Sequence, residues 1–180
     1  QRQMCIRDST EAYDGTSWTE CNNTLVDRTA WSSVGTQNSV ITFAGTNVKT
    51  SYVFDTWTEY NVQSYTCPCN ETLGWDGTNW VNCNDLVTNR IWQASFGTVG
   101  AAVVAGGMKS PGGNAGNTEV EEWDGTSWAT GEALTTGRSK MGGAGTQNDG
   151  LVFGGITNPG YSNSYCDDTE IYDGTNWSTG

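Results

Sequence analysis

An all-β fold of repeated four-stranded antiparallel sheets is what this sequence predicts, and three observations carry the prediction. A six-residue phrase, aromatic-Asp-Gly-Thr-Ser/Asn-Trp, occurs at 13–18, 75–80, 123–128 and 172–177, and its Asp residues (Asp14, Asp76, Asp124, Asp173) lie 62, 48 and 49 positions apart. Two further landmarks keep that phase: an Arg at Arg28, Arg90 and Arg138, then a Gly-Thr pair starting seven residues later at Gly35, Gly97 and Gly145. The composition agrees. Of 180 residues 24 are Gly and only 16% are charged, which suits short strands and tight turns rather than helices.

The elements follow in order within one unit. In the last copy, SKMGGAGTQ (139–147) reads as a Gly-rich first strand with room for close backbone approach, and GLVFGG (150–155) as an apolar second strand. The same run appears as VITFAG (40–45) and VVAGG (103–107) in the earlier copies. After a variable polar loop, TEIYDGTNW (169–177) reads as third and fourth strands joined by an Asp-Gly turn, because Gly takes positive φ without steric cost. The period is 48, so the first unit carries an insertion of 62 − 48 = 14 residues. The units expected are 10–18 as the end of a first sheet, 19–80 with the insertion over 46–73, 81–128, and 129–180. The insertion blurs the third strand of its unit. One small sheet cannot bury its own faces, so successive sheets must stack, and the aromatics flanking each turn (Tyr13 and Trp18, Trp75 and Trp80, Trp123 and Trp128, Tyr172 and Trp177) supply the contact area.

GRSKMGGAGTQNDGLVFGG (137–155) followed by TEIYDGTNW resembles a kelch-type repeat: Arg before the first strand, Gly-Gly after the second, and an aromatic and a Trp bracketing the last turn. The resemblance spans Thr10 to Trp177 and implies blades of a β-propeller, in which such sheets stand around a central axis. About three and a half blades are present by this count, so the resemblance implies further blades, self-association or an open stack. Unit one departs from the pattern by ending its second strand in Phe-Ala-Gly. The phrasing is also similar to repeat arrays of aquatic phage tail proteins and of environmental bacterial proteins. Residues 1–9, QRQMCIRDS, share nothing with the repeats. They resemble translated sequencing-adapter read-through, with a disordered tail as the alternative.

Every Arg beyond residue 9 occupies the same repeat position, which suits a scaffold donor to carbonyls or carboxylates between blades; a ligand-binding ring is the other reading. Asp14, Asp76, Asp124 and Asp173 are turn residues able to accept from nearby backbone N–H groups. Trp18, Trp80, Trp128 and Trp177 repeat with them as structural positions. There is no His, no Asp-x-Asp-x-Asp-Gly loop, no phosphate loop and no nucleophile elbow, so no catalytic residue, metal or cofactor is expected. Among the cysteines, a bridge from Cys67 or Cys69 to Cys83 is expected to pin the insertion, implying an oxidising compartment or virion surface; a zinc site is the weaker alternative. Asn22, Asn70 and Asn176 stand in glycosylation sequons.

Variation concentrates in the loops between second and third strands. Tyr52, Trp57, Tyr60, Tyr65, Tyr161 and Tyr165 place aromatics there, suited to stacking on sugar faces or protein patches, or to packing the loops down. A net charge of −12 repels phosphate backbones and anionic lipid heads, so neither nucleic acid nor membrane insertion is expected. The expected partners are other copies of the chain or further blades, and a glycan or surface receptor, outside the cell or on a virion. The leading expectation is a recognition module of a phage tail fibre or adhesin; the alternative is an architectural subunit of an extracellular filament built from stacked blades, and the third reading is an enzyme fragment whose catalytic residues lie in other blades.

Overall fold

The structure, a computed structural model, describes residues 9–54, 60–109, 116–157 and 164–180, with the backbone alone for 48–54 and 60–67. A two-stranded hairpin comes first, β1 (Thr10–Tyr13) and β2 (Trp18–Cys21). The first full sheet holds β4 (Ser32–Thr36), β5 (Ser39–Phe43), β8 (Thr72–Trp75) and β9 (Trp80–Asn82), preceded by the short β3 (Arg28–Thr29). The second holds β10 (Ala94–Thr98), β11 (Ala101–Ala105), β12 (Val120–Trp123) and β13 (Trp128–Thr130). In the third stand β14 (Gly142–Thr146), β15 (Asp149–Phe153), β16 (Thr169–Tyr172) and β17 (Trp177–Thr179). Each is an antiparallel meander in sequence order. The fold is all-β, made of propeller-like blades that follow one another as open sheets.

Two expectations are corrected. The insertion does not blur the third strand: it folds as its own hairpin, β6 (Thr46–Phe54) with β7 (Tyr60–Pro68), which pairs with β3 and leaves Thr72 and Leu73 in β8. The hairpin pairs its two strands with each other and with β3, outside the four-stranded sheet, so it can be added without disturbing that sheet's register. The fourth strands also run past the Trp at which the units were expected to end, to Cys21, Asn82 and Thr130, because the strand opposite still offers partners for pairing.

Sheets stack through their first two strands, β4 against β10 and β10 against β14. Between the first and second sheets lie Val34, Ile41 and Phe43 against Leu86, Trp123 and Trp128. The second and third enclose Phe96, Val103 and Val120 against Leu134, Val152 and Trp177. Phe43 meets Trp128 edge to face at 4.9 Å and 74°, and Phe96 meets Trp177 at 6.3 Å and 75°, the geometry that aromatic quadrupoles prefer. Strand burial follows position in the stack. In β11 Ala102 to Ala105 are buried throughout, whereas β15 alternates, with Gly150 and Val152 buried and Phe153 exposed. A sheet covered on both sides needs apolar residues on both; one covered on one side needs period two.

Gly97 shows why the Gly-Thr landmark repeats. Its φ is +108°, and a Cβ there would lie 2.3 Å from the Ala101 carbonyl oxygen, so only Gly fits the crowded first strand.

Candidate functional site

The repeated Arg is among the most deeply buried polar groups of the described residues, and three elements position it. Arg90 stands just before β10, with its guanidinium under the ends of β11 and β12. Its Nη1 donates to the Gly106 and Glu119 carbonyls at 3.1 and 2.9 Å, and Nη2 to the Glu121 carboxylate. Arg138 repeats this on Gly154, Asp168 and Glu170, the last at 2.8 Å. Each carboxylate also accepts two backbone N–H groups from the loop before the Arg, Val87 and Thr88 on Glu121, Thr135 and Thr136 on Glu170. Both partners are nearly inaccessible. Burial pulls the Arg90 pKa down from its usual value while Glu121 opposes it. A charge so enclosed is tolerable only because it is paired and hydrogen-bonded. The side chains clasp their own sheet; the link between sheets runs through the main chain, where Gly45 N donates to Arg90 O at 3.1 Å and Gly107 N to Arg138 O at 3.0 Å.

Unit one lacks the carboxylate. Leu73 occupies the place of Glu121 and Glu170, and Arg28 donates to the Ala44 and Glu71 carbonyls at 3.2 and 2.8 Å while its Nη2 has no hydrogen-bond partner among the described residues. Glu71 stays 3.9 Å away and partly exposed.

The four turn aspartates act alike. Oδ1 of each accepts from the N–H groups two and three residues on, at 2.7–2.8 Å. Those donors hold the carboxyls below the usual Asp range. Further polar contacts fix one unit on the next. Gln37 Nε2 donates to Tyr13 O and Gln147 Nε2 to the Ala102 and Trp123 carbonyls. The amide of Asn22 reaches Thr78 O and that of Asn84 reaches Thr126 O, both at 2.9 Å. The Trp80 indole donates to Thr10 Oγ1 and the Trp128 indole to Thr72 Oγ1. At the next junction Val120 replaces that Thr, and Trp177 donates to Glu132 O instead. Tyr172 breaks the Trp pattern at the other aromatic position: its hydroxyl donates to Glu122 of the preceding sheet, and burial, then Glu122, raises its pKa.

The predicted bridge to Cys83 is not formed. Cys69 and Cys83 are free thiols, as are Cys21 and Cys166. Cys69 is turned into the sheet edge, where Sγ donates to the Ala44 and Gly45 carbonyls at 3.4 and 3.3 Å, and burial raises its pKa. Cys83 packs instead beside Gly74. The side chain of Cys67 lies outside the described residues.

Of the sequon asparagines, Asn22 is committed to the inter-sheet bond above and Asn70 Nδ2 to Leu86 O at 2.9 Å, whereas Asn176 sits exposed in its turn. Among the expected binding aromatics, Tyr165 is 79% exposed. Trp57 and Tyr161 lie outside the described residues, as do the side chains of Tyr52, Tyr60 and Tyr65. The second-to-third-strand loops nevertheless meet each other: Gly116 N donates to Thr157 O at 3.4 Å.

A half-open cavity of about 260 Å³ lies between β1–β2 and the first full sheet, with Trp31, Trp75, Trp80, Gln37 and Glu11 in its wall. Among the described residues no His, Cys, Asp and Glu side chains gather as three or more potential metal ligands. Comparison with protein-family profiles and with curated proteins gave no match to this chain.

The sequence pointed to the Arg positions and to the Asp residues as acceptors of nearby backbone N–H groups, but not to the particular carboxylates that pair with Arg90 and Arg138. Glu121 and Glu170 were legible, with Glu11, as a Glu two residues before the aromatic in three of the four copies, a phase that unit one interrupts with Leu73. Gln37 and Gln147 stand equally in phase, with Val99 between them.

Proposed function

We propose that this chain is a non-enzymatic structural and recognition module of kelch-like blades, belonging to a phage tail fibre or a cell-surface adhesin outside the cell, whose variable loops bind a host glycan or protein. The observation that carries this reading is the contrast between a sheet framework held by the same Arg, Asp and Gly-Thr positions in each unit and second-to-third-strand loops that differ in every one. Those loops leave the same end of each sheet, and at least two of them touch. A rigid framework with adjoining variable loops is how repeat proteins present a recognition surface. Exposed Tyr165 suits stacking on a sugar face or an apolar protein patch.

A graft tests it. Replacing the β6–β7 hairpin with the shorter loop of the second unit, and separately replacing Tyr165 with Ala, should reduce binding on a glycan array or to host envelopes while leaving the melting temperature close to wild type. Unchanged binding by both variants would refute recognition through these loops.

A further inference from the structure

A small half-open cavity of about 140 Å³ lies in the second sheet, where the Arg90 clasp meets the foot of that unit's variable loop. Thr88, Arg90, Glu119, Val120, Glu121 and Thr130 form its wall. Sheets one and three pack against this sheet from either side, so the cavity belongs to the interior of the stack rather than to an end of it. The Arg90 side chain is inaccessible to solvent. Its Nη1 and Nη2 both donate, but Nε has no hydrogen-bond partner among the described residues. A buried donor without an acceptor is unfavourable, so an oxygen placed in the cavity is favoured. Glu119 is held in place by both ends of the loop. Lys109, at its start, pairs with Oε1 at 2.6 Å, and Asn117, at its end, donates to Oε2 at 3.1 Å. Each of those oxygens keeps a further lone pair.

The wall selects the ligand by charge. An anion would meet Glu119 and Glu121, and a cation would meet Arg90. A neutral hydroxyl suits both, because it accepts from Nε while donating to a carboxylate, and Thr88 and Thr130 add hydroxyls that do either. At about 30 Å³ per water the space equals about four or five waters, enough for one edge of a sugar ring and too little for a disaccharide. The full set of side chains occurs once. Unit one has Val26 and Leu73 where Thr88 and Glu121 stand, and unit three has Thr157 and Asp168 for Lys109 and Glu119. A scaffold position recurs in every unit, whereas a binding position need not.

We propose that this cavity binds the hydroxymethyl end of a single neutral hexose, with Arg90 Nε donating to the hydroxyl oxygen and Glu119 accepting its proton in a hydrogen bond. The proposal rests on the glycan reading above and deepens it, placing a terminal sugar at the foot of one variable loop. The test is a titration of the 180-residue chain with the methyl glycosides of glucose, galactose and mannose, followed in nitrogen–proton NMR spectra at the Arg Nε–H signals and the Thr88 and Thr130 amides. Glycerol and the methyl glycoside of glucuronic acid, which carries a carboxylate in place of the hydroxymethyl group, are the comparison probes. At least one hexoside should give saturable shifts at these sites, with the uronide and glycerol binding about tenfold more weakly. Thr130→Leu, at an exposed strand position where the larger side chain takes up part of the space, should weaken hexoside binding about tenfold while melting with the wild type. No saturable shift with any of the three hexosides, equal binding of the uronide or of glycerol, or hexoside binding unchanged in Thr130→Leu overturns the proposal. A glycan array run on the same samples keeps the two readings apart. Array binding that depends on Tyr165 and the β6–β7 hairpin, without any hexoside shift, refutes the cavity alone. Hexoside shifts with an array indifferent to both loop variants support the cavity and refute the loops.

Discussion

Gly45 and Arg90 join neighbouring sheets: the Gly45 amide donates to the Arg90 carbonyl at 3.1 Å, while the Arg90 side chain is held by Glu121 in its own sheet. The Arg thus fixes where one sheet begins relative to the end of the one before. Replacing Glu121 with Leu, the residue that unit one carries as Leu73, leaves a buried guanidinium and two loop N–H groups without their acceptor. We expect a loss of about 3–5 kcal/mol in urea unfolding, as for other broken buried pairs. A loss below about 1 kcal/mol, the value of an exposed pair, would show that the clasp contributes little.

Acid sensitivity follows from the turn aspartates. Their backbone donors depress the folded-state pKa at Asp14, Asp76, Asp124 and Asp173. Below the unfolded Asp value of about 3.9 the unfolded chain binds more protons, so the contribution present above that pH is lost as pH falls through the folded values. Changing all four to Asn keeps an oxygen acceptor but removes the titration. The variant should lose less melting temperature than wild type between pH 5 and 2; equal acid slopes would assign the loss to other carboxylates.

Tyr172 distinguishes the last junction from the one before it. Its hydroxyl serves Glu122, where the preceding sheets have Trp75 and Trp123 with indoles donating to Gln37 O and Val99 O. Tyr172→Phe should cost about 1–3 kcal/mol, the range for leaving a partly buried charged acceptor without its donor. Tyr172→Phe combined with Glu122→Gln should recover part of that, a coupling read from a double-mutant cycle.

Thiol chemistry should separate the cysteines by burial. Cys69 is buried and its pKa raised by desolvation, whereas Cys21 and Cys166 are half-buried. Alkylation of the native protein at pH 8, mapped by peptide mass, should modify Cys21 and Cys166 well before Cys69. Equal rates would mean that the sheet edge opens around Cys69.

Much of the fold was legible because repetition amplifies weak signals. One Asp-Gly turn between aromatics is a modest hint; four copies in phase with Arg28, Arg90 and Arg138 establish a repeated sheet. The loop aromatics were less informative, since Tyr165 alone among them has a described side chain and nothing in its sequence neighbourhood specifies a ligand.

The sequence by itself determined the local elements: strands of alternating or continuous apolar residues, the Asp-capped turns, and positions such as Gly97 where only Gly avoids its own neighbour. These depend on contacts a few residues apart, which spacing reveals. Only the tertiary structure decided which Glu meets which Arg, that Cys69 faces backbone carbonyls rather than Cys83, and that Phe43 is buried while its counterpart Phe153 is exposed. Such outcomes depend on which sheet lies across the interface, and residues that meet there can be more than fifty positions apart, as Trp128 and Thr72 are at a separation of 56.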